Sequence, residues 1–185
     1  PAGQSDMALL LNPNNPSYHP VEAAGRDPLI ASGAFMPGWS ASSLTFCGDC
    51  HQSDSGALLG PHGSVYRGIL PRPYDPSPNL RPMASDEACF ACHSFATYGD
   101  RNASGAARAQ SRFNEPGAGK GHATHVGEED VPCGACHATH GSATQPHLIV
   151  TGRSPGINSI SWSANGATCS PSCHGSESYT VNYGR

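Results

Sequence analysis

The arrangement of apolar and polar positions predicts little regular secondary structure in this chain. No apolar run approaches the length of a transmembrane helix. Helix signals are limited to residues 85–95, where Ser85 can cap the first turn, and to residues 104–113. A further helical turn is predicted to begin at Pro132, since proline fits the first position of a helix.

Strand signals are equally sparse, and the best of them are Leu148–Thr151 and Tyr179–Tyr183. Residues 71–82 contain too many prolines for a helix, and residues 1–46 form an arm rich in Pro, Asn, Ser and Gly. We therefore expect one domain over residues 1–185, made mostly of irregular coil with a few short helices and minimal strand.

The composition does not suit a conventional hydrophobic core. Hydrophobic residues make up only 37% of the chain and aromatic residues 7%, while glycine and proline occupy 22 and 17 positions. So little apolar area does not offset the entropy of ordering 185 residues. Charged residues, at 13%, are too few for the highly charged kind of disorder. A bulky prosthetic group is therefore expected to fill the middle of the fold.

The charge of the chain excludes one class of partner. The formal charge is -4, and Lys120 is the only lysine, so there is no basic tract of the kind that binds nucleic acid. No signal peptide is visible from Pro1 onward, and we interpret the sequence as the processed, mature form of a secreted chain.

All eight cysteines form four close pairs, and a histidine follows each pair directly. The four attachment segments are Cys47-Gly-Asp-Cys50-His51, Cys89-Phe-Ala-Cys92-His93, Cys133-Gly-Ala-Cys136-His137 and Cys169-Ser-Pro-Ser-Cys173-His174. Histidine occupies only 10 of 185 positions, so chance does not account for these placements. The pattern is the signature of c-type haem attachment.

The chemistry of haem attachment explains the spacing. Two thiols add to the two vinyl groups on one edge of the porphyrin, and the next residue turns under the ring so that its imidazole ligates the iron. Zinc sites would need no histidine behind every pair, and a disulfide framework would not place its cysteines so close together four times. The fourth segment has one residue more between its cysteines, yet a longer loop can still bridge two vinyl groups. We therefore predict four haem c groups, with the proximal iron ligands His51, His93, His137 and His174.

Six histidines remain for the distal faces of four irons. Because six histidines are enough to give each of four irons a second ligand, bis-histidine ligation is a simpler prediction than ligation by Met7, Met36 or Met83. The candidate distal ligands are His19, His62, His122, His125, His140 and His147. His62 lies in a tight Gly-Pro-His-Gly turn, and one of the pair His122 and His125 is expected to be a ligand, with no preference between them.

His140 follows the proximal ligand His137 so closely that it constrains the packing of the cofactors. It cannot bind the same iron, because the two axial positions lie on opposite faces of the porphyrin. Three residues separate two Cα atoms by at most about 10 Å. If His140 ligates a different iron, two haems are tied to one short piece of backbone and must lie close together.

Each haem carries two propionates, and arginine suits planar pairing with carboxylates. We expect several arginines to hold propionates, from the set Arg26, Arg67, Arg72, Arg81, Arg101, Arg108, Arg112 and Arg153.

The attachment segments, together with Ser17-Tyr18-His19-Pro20-Val21 and Gly60-Pro61-His62-Gly63-Ser64, carry a family resemblance. The chain resembles the small tetrahaem c-type cytochromes that metal-respiring bacteria and some archaea secrete and polymerise into conductive filaments. The resemblance spans residues 17–174 and implies bis-histidine irons, alternating stacked and T-shaped haem contacts, and subunits joined head to tail. It also implies that a histidine of one subunit can complete a haem of the next, and it suggests His19 for that role.

The function that follows is electron transfer without substrate chemistry, in an extracellular conductive filament whose other partners are redox proteins or extracellular electron acceptors. The arm, residues 1–46, would then contact a neighbouring subunit. A soluble periplasmic shuttle that delivers electrons to a reductase has the same motifs and stays open as an alternative. A multihaem enzyme that reduces nitrite or hydroxylamine needs a five-coordinate haem, and six spare histidines count against it. We expect an electron carrier and not an enzyme.

Overall fold

The structure, a computed structural model, describes residues 6–58, 60–115 and 119–181. All of its helices are short, and none of those described is long and apolar enough to cross a membrane. The α-helices are α1 (Met7–Leu11), α2 (Cys47–Cys50), α3 (Phe95–Tyr98), α4 (Gly105–Arg108) and α5 (Cys133–Cys136). Single turns of 3-10 helix span Ser32–Ala34, Ala88–Ala91 and Pro146–Leu148. A π-helix spans Ala123–Glu128.

The described strands form three small antiparallel sheets. They are β1 (Ser17–Tyr18), β2 (Asn114–Glu115), β3 (Lys120–Gly121), β4 (Gly141–Ser142), β5 (Ile157–Ser163), β6 (Gly166–Pro171) and β7 (Glu177–Thr180). β1 pairs with β4, β2 pairs with β3, and the third sheet has the order β5-β6-β7. The β1–β4 pair joins the N-terminal segment to the residues that follow the third attachment segment.

Side-chain caps support several of the short helices. Asp6 accepts a hydrogen bond from the Ala8 N–H at the start of α1 (3.0 Å), and Ser104 accepts one from the Ala107 N–H in α4 (3.2 Å). Asp49 lies within α2 and accepts from the N–H of Phe46, which precedes the helix (2.7 Å). A one-turn helix leaves most of its main-chain groups unpaired, so these caps satisfy a large share of them.

The apolar core is small for a chain of 185 residues. Its cluster of buried residues is Met83, Phe90 and Val126, against which pack Phe95, Tyr98 and Cys133. Large apolar side chains remain exposed elsewhere, among them Phe46 at 70% and Val65 at 83%. Packing of protein side chains alone therefore supplies little of the interior that the chain length calls for.

A buried ion pair fixes the backbone before the second attachment segment. Glu87 is buried and accepts two hydrogen bonds from the Arg81 guanidinium (2.6 and 2.8 Å) and a third from the Ala84 N–H (3.0 Å). This hydrogen bonding to Glu87 raises the pKa of Arg81. The bidentate pairing holds Glu87 at the start of the Ala88–Ala91 helix, which carries the first cysteine of that segment.

The predicted helices exist but are shorter than expected. Within residues 85–95 the helical residues are the turn Ala88–Ala91 and Phe95, which begins α3, and within residues 104–113 only α4 is helical. The first of these ends where the His93 backbone turns to form an isolated bridge with Phe35. The helical turn after Pro132 is confirmed, because α5 begins at the next residue. The absence of helix from residues 71–82 is also confirmed.

The predicted strand Leu148–Thr151 is wrong. Leu148 ends the 3-10 helix Pro146–Leu148, and it has a positive φ of 58° that an extended strand does not allow. Ile149 forms only an isolated bridge, with His137. The local apolar, β-branched composition was outweighed by the contacts of this segment with the third attachment segment.

The C-terminal sheet is the main element that the sequence analysis missed. β5 and β6 form a hairpin in which Ser163 pairs with Gly166, and β7 pairs with the other edge of β6. The Asn165-Gly166 dipeptide, which is common at hairpin turns, is a signal that could have revealed it. β7 overlaps the predicted strand Tyr179–Tyr183, of which residues 182 and 183 lie outside the described residues.

The N-terminal segment packs on its own chain. Leu11 and Tyr18 are buried, and the Tyr18 hydroxyl donates to the main-chain oxygen of Ala24 (2.7 Å). Within the predicted arm of residues 1–46, residues 1–5 lie outside the described residues. The described part is therefore anchored through β1 and does not extend freely from the fold.

Candidate functional site

Three of the four cysteine pairs are presented by single helical turns. In each, the N–H of the following histidine donates to the carbonyl of the first cysteine, four residues back. The three bonds are His51 to Cys47 (2.7 Å), His93 to Cys89 (3.0 Å) and His137 to Cys133 (2.9 Å). Because residues three apart share one face of a helix, both thiols point to the same side and the histidine begins where the turn ends.

The fourth pair is presented differently from the other three. Cys169 lies in β6, and Cys173 lies in the bend that follows Pro171. Four residues of fully extended strand would separate the two cysteines by about 13 Å. The bend after Pro171 therefore has to bring the second thiol back toward the first.

Each histidine behind a cysteine pair faces one other histidine. The ring centroids are separated by 6.2 Å for His51 and His140, 6.4 Å for His93 and His19, 6.0 Å for His137 and His122, and 6.3 Å for His174 and His125. The structure thus joins all four predicted proximal residues to four of the six distal candidates, including both members of the pair His122 and His125.

These separations fit two imidazoles on opposite sides of a metal ion. A histidine nitrogen binds a first-row metal at about 2.0–2.1 Å, so two such nitrogens lie about 4 Å apart, and their ring centres about 6.3 Å apart. No group of three or more His, Cys, Asp or Glu side chains within the described ranges could hold a metal ion by itself. Each pair supplies two ligands only, so the other donors would have to come from a cofactor, as the four porphyrin nitrogens of haem do.

Most of the paired imidazoles are oriented through Nδ1. This atom donates to a main-chain oxygen in His51 (Gly68, 2.6 Å), His125 (Gly121, 2.9 Å), His137 (His147, 2.9 Å) and His174 (Gly175, 2.8 Å). In His122, Nδ1 bonds to the hydroxyl of Ser111 (2.7 Å). A proton fixed on Nδ1 leaves the lone pair on Nε2, which is the arrangement that a metal-binding histidine needs.

Burial keeps the central imidazoles neutral. Desolvation, with nearby histidines adding to it, lowers the pKa of His93 to about 4 and that of His122 to about 3. Desolvation likewise lowers the pKa of His137 to about 4, and it lowers the pKa of His19 and His140. Since the neutral ring is the form that binds metals, burial favours ligation.

Cysteines of successive attachment segments lie near enough to influence one another's pKa. Burial raises the pKa of Cys92 to about 11, and the nearby Cys50 of the first segment adds to this. Hydrogen bonding between Cys89 and Cys133 joins the second segment to the third; it raises the pKa of Cys89 and lowers that of Cys133. Burial raises the pKa of Cys136 to about 11, with both cysteines of the fourth segment contributing. The four segments therefore form a continuous series.

A repeated tetrapeptide links the histidine pairs to one another. His-Ala-Thr-His occurs at residues 122–125 and again at 137–140, a repeat that the sequence analysis did not use. The first histidines of the two copies, His122 and His137, pair with each other. The second histidines pair elsewhere, His125 with the fourth segment and His140 with the first. Each copy thus serves two sites at once.

The β1–β4 contact positions two further ligand candidates together. The N–H of His19 donates to the main-chain oxygen of His140 (2.8 Å), directly beside the pairing of Tyr18 with Gly141. A Cβ at Gly141 would overlap the main-chain oxygen of Leu10, so this close approach requires glycine.

Two distal candidates are not paired with an attachment histidine. His62 is exposed, and its ring lies near Gly60 of its own turn. His147 is also exposed; its ring lies 5.3 Å from that of Trp162, and its Nδ1 lies 3.7 Å from a carboxylate oxygen of Asp27. His147 nevertheless touches the site through its main-chain oxygen, which accepts from Nδ1 of His137 (2.9 Å).

Most of the candidate arginines bind carboxylates or main-chain oxygens of the protein. Four of the eight candidates form ion pairs with described carboxylates, namely Arg81 with Glu87, Arg101 with Asp130, Arg108 with Glu128 and Arg112 with Asp27. Arg26 and Arg153 donate to main-chain oxygens, those of Pro13 and His137 among them. Arg67 and Arg72 are exposed and form no ion pair with a carboxylate in the described part of the chain. These two arginines are the freest to meet a propionate.

No family model, curated protein or solved structure matches this chain. The assignment of the site therefore depends on its own geometry and chemistry.

Replacing Gly141 with alanine should loosen the N-terminal segment. The added Cβ overlaps the main-chain oxygen of Leu10 in α1 and crowds that of Ser17 in β1, so the N-terminal segment must move away from β4. We expect the free energy of unfolding to fall by about 2 kcal/mol. Residues 6–46 should also become several-fold more susceptible to limited proteolysis. Gly105→Ala is the matched control, because a Cβ there meets no atom within 4 Å. Equal stability and equal cleavage of the two variants would show that the packing of the N-terminal segment on Gly141 does not anchor it.

Proposed function

We propose that this chain is a tetrahaem c-type cytochrome that carries electrons through four bis-histidine haems. The observation that carries the proposal is the ring pairing, in which every histidine behind a cysteine pair faces one other histidine across 6.0 to 6.4 Å. The distal partners come from separate parts of the chain and follow no attachment motif. Their placement therefore supports the proposal independently of the cysteine spacing.

The proposed assignment gives each haem two thioether bonds, one proximal histidine and one distal histidine. The first haem would be held by Cys47, Cys50, His51 and His140; the second by Cys89, Cys92, His93 and His19; the third by Cys133, Cys136, His137 and His122; and the fourth by Cys169, Cys173, His174 and His125.

When bound, haem supplies a one-electron couple between ferric and ferrous iron. The residues of this chain would hold it: the thiols would bond to one edge, two imidazoles would ligate the iron, and Nδ1 hydrogen bonds would set the ring orientations. With two imidazoles as ligands, no small molecule would need to bind to iron. This favours an electron carrier over a nitrite or hydroxylamine reductase, which requires an open position.

The route for electrons follows the order of the attachment segments. Cysteines of successive segments lie near enough to influence one another's pKa, so the edges of haems bound there would lie near one another. The two ends of the series are the most exposed, because Cys47 and Cys50 at one end and Cys173 and His174 at the other are open to solvent. Electrons would accordingly enter and leave through the first and fourth haems.

We further propose that identical subunits join head to tail into an extracellular filament. In support, exposed apolar side chains flank the first attachment segment, including Phe46 at 70%, Leu58 at 55% and Val65 at 83%. Exposed apolar side chains of this kind fit contact with another copy of the chain. A soluble periplasmic shuttle is the alternative, in which these side chains would meet a redox partner only transiently.

The structure changes the role we propose for His19. The family resemblance suggested that His19 completes a haem of the neighbouring subunit, but its ring faces His93 of its own chain. Its backbone is also held by His140 of the same chain. We therefore propose that all four distal ligands act within one subunit, and that filament contacts bring haem edges together without a shared ligand.

The variant His140→Ala tests the ligand assignment. Loss of one distal imidazole should convert one of the four haems from low-spin to at least partly high-spin, because a weaker ligand or none then occupies the axial position. Covalent haem content should stay unchanged, since no cysteine is altered. Absorption and EPR spectra of the ferric protein measure the conversion.

His62→Ala is the matched control for that experiment, because His62 is an exposed histidine without a histidine partner. Its spectra should equal those of the unaltered protein. A high-spin signal in His62→Ala, or its absence from His140→Ala, would overturn the proposed assignment.

Negative-stain electron microscopy of the native material distinguishes filament from shuttle. We expect filaments, because the exposed apolar surface and the two exposed ends of the haem series favour end-to-end contact. Phe46→Glu should shorten the filaments while leaving haem content intact, since it places a charge on that surface. Isolated particles from native material at all concentrations would favour the shuttle.

A further inference from the structure

We propose that the hydroxyl of Ser111 sets the reduction potential of the third site, the one formed by His137 and His122. The inference rests on the proposed function, namely that a haem is ligated there. Ser111 touches no attachment cysteine and acts through the distal imidazole alone, so it is a positioning and tuning residue.

The hydrogen bonds around Ser111 define which atom donates. Its Oγ lies 3.1 Å from the main-chain oxygen of Phe113, to which only the hydroxyl can donate. The single hydroxyl proton is used there, so Oγ accepts from Nδ1–H of His122 at 2.7 Å. This bond fixes the proton of His122 on Nδ1 and leaves the lone pair on Nε2, in a ring whose centroid lies 6.0 Å from that of His137.

The bond is shielded from water. Ser111 is only 5% exposed, and the His122 ring packs edge-on against Tyr98 (5.0 Å between centroids) and Phe113 (5.3 Å). Without Ser111, no solvent molecule would readily replace the lost acceptor. Electrostatic effects are also stronger in such surroundings than at the surface.

Ser111 differs in kind from the groups that orient the other paired imidazoles. Among the described residues, the other Nδ1 bonds of the paired histidines run to main-chain oxygens, which a substitution cannot remove. His122 is the paired histidine whose Nδ1 partner is a side chain. The third site is therefore the one whose ligand strength a single side chain can change.

The direction of the effect follows from the ligand chemistry. A hydrogen bond donated from Nδ1–H places electron density on the ring and makes Nε2 a stronger donor. A stronger donor stabilises ferric iron relative to ferrous iron and lowers the reduction potential. Removing the acceptor should raise the potential of this haem and leave the other three unchanged.

The test is a spectroelectrochemical titration of the haem-loaded full-length chain. In Ser111→Ala, one of the four one-electron steps should move to higher potential, so that its reduced-to-oxidised ratio rises up to tenfold at a fixed ambient potential, a shift of about 59 mV. Ser111→Thr, which keeps a hydroxyl, should restore the original step. Ser104→Ala, which removes a nearby helix-capping hydroxyl, should shift no step.

The outcomes separate this inference from the function on which it rests. If the unaltered chain binds no haem, the proposed function fails. If it binds four haems and Ser111→Ala shows four unchanged steps, only the role of Ser111 fails. A shift shared by all four steps, failure of threonine to restore the step, or loss of a haem from Ser111→Ala would equally overturn it, because the hydroxyl would then act on the fold.

Discussion

The pairing of imidazoles from distant parts of the chain is the constraint on which the rest of this structure depends. Secondary structure is limited to single turns and small sheets, and the apolar cluster around Phe90 is small. The backbone instead places four histidines opposite the four that follow cysteine pairs, with ring centroids about 6 Å apart. In the proposed function, haem occupies the space between them and supplies the apolar interior that the composition lacks.

Two short segments supply four of the paired histidines. The His-Ala-Thr-His copies at residues 122–125 and 137–140 meet at the third site and continue to the fourth and first sites. His19 is joined to the second copy by its main-chain hydrogen bond to His140, which brings the second site into the same assembly. Because the ligands of different sites share backbone, a displacement at one site is transmitted to its neighbours. In the proposed function, the close spacing of redox centres that electron transfer requires would then follow directly from the local chain geometry.

The sequence predicted the attachment segments, whose spacings are local, but it did not predict which distant histidine pairs with each of them. The attachment segments depend on spacings of a few residues, and in three of them a helical turn satisfies the spacing without help from elsewhere. The distal partners depend on long-range folding, so the sequence could not choose between His122 and His125, and it ranked the exposed His62 with residues that the structure pairs. Leu148–Thr151 was assigned to a strand from composition alone, although its contacts with the third segment hold it in another conformation.

If four covalently bound haems fill the spaces between the paired histidines, the mass of the purified, denatured protein reveals them. The bare polypeptide weighs 19.1 kDa. We expect a red protein whose denatured chain retains the added mass of four haems and whose pyridine haemochrome spectrum is of the c type. A colourless protein, or a denatured chain with the mass of the polypeptide alone, would contradict it.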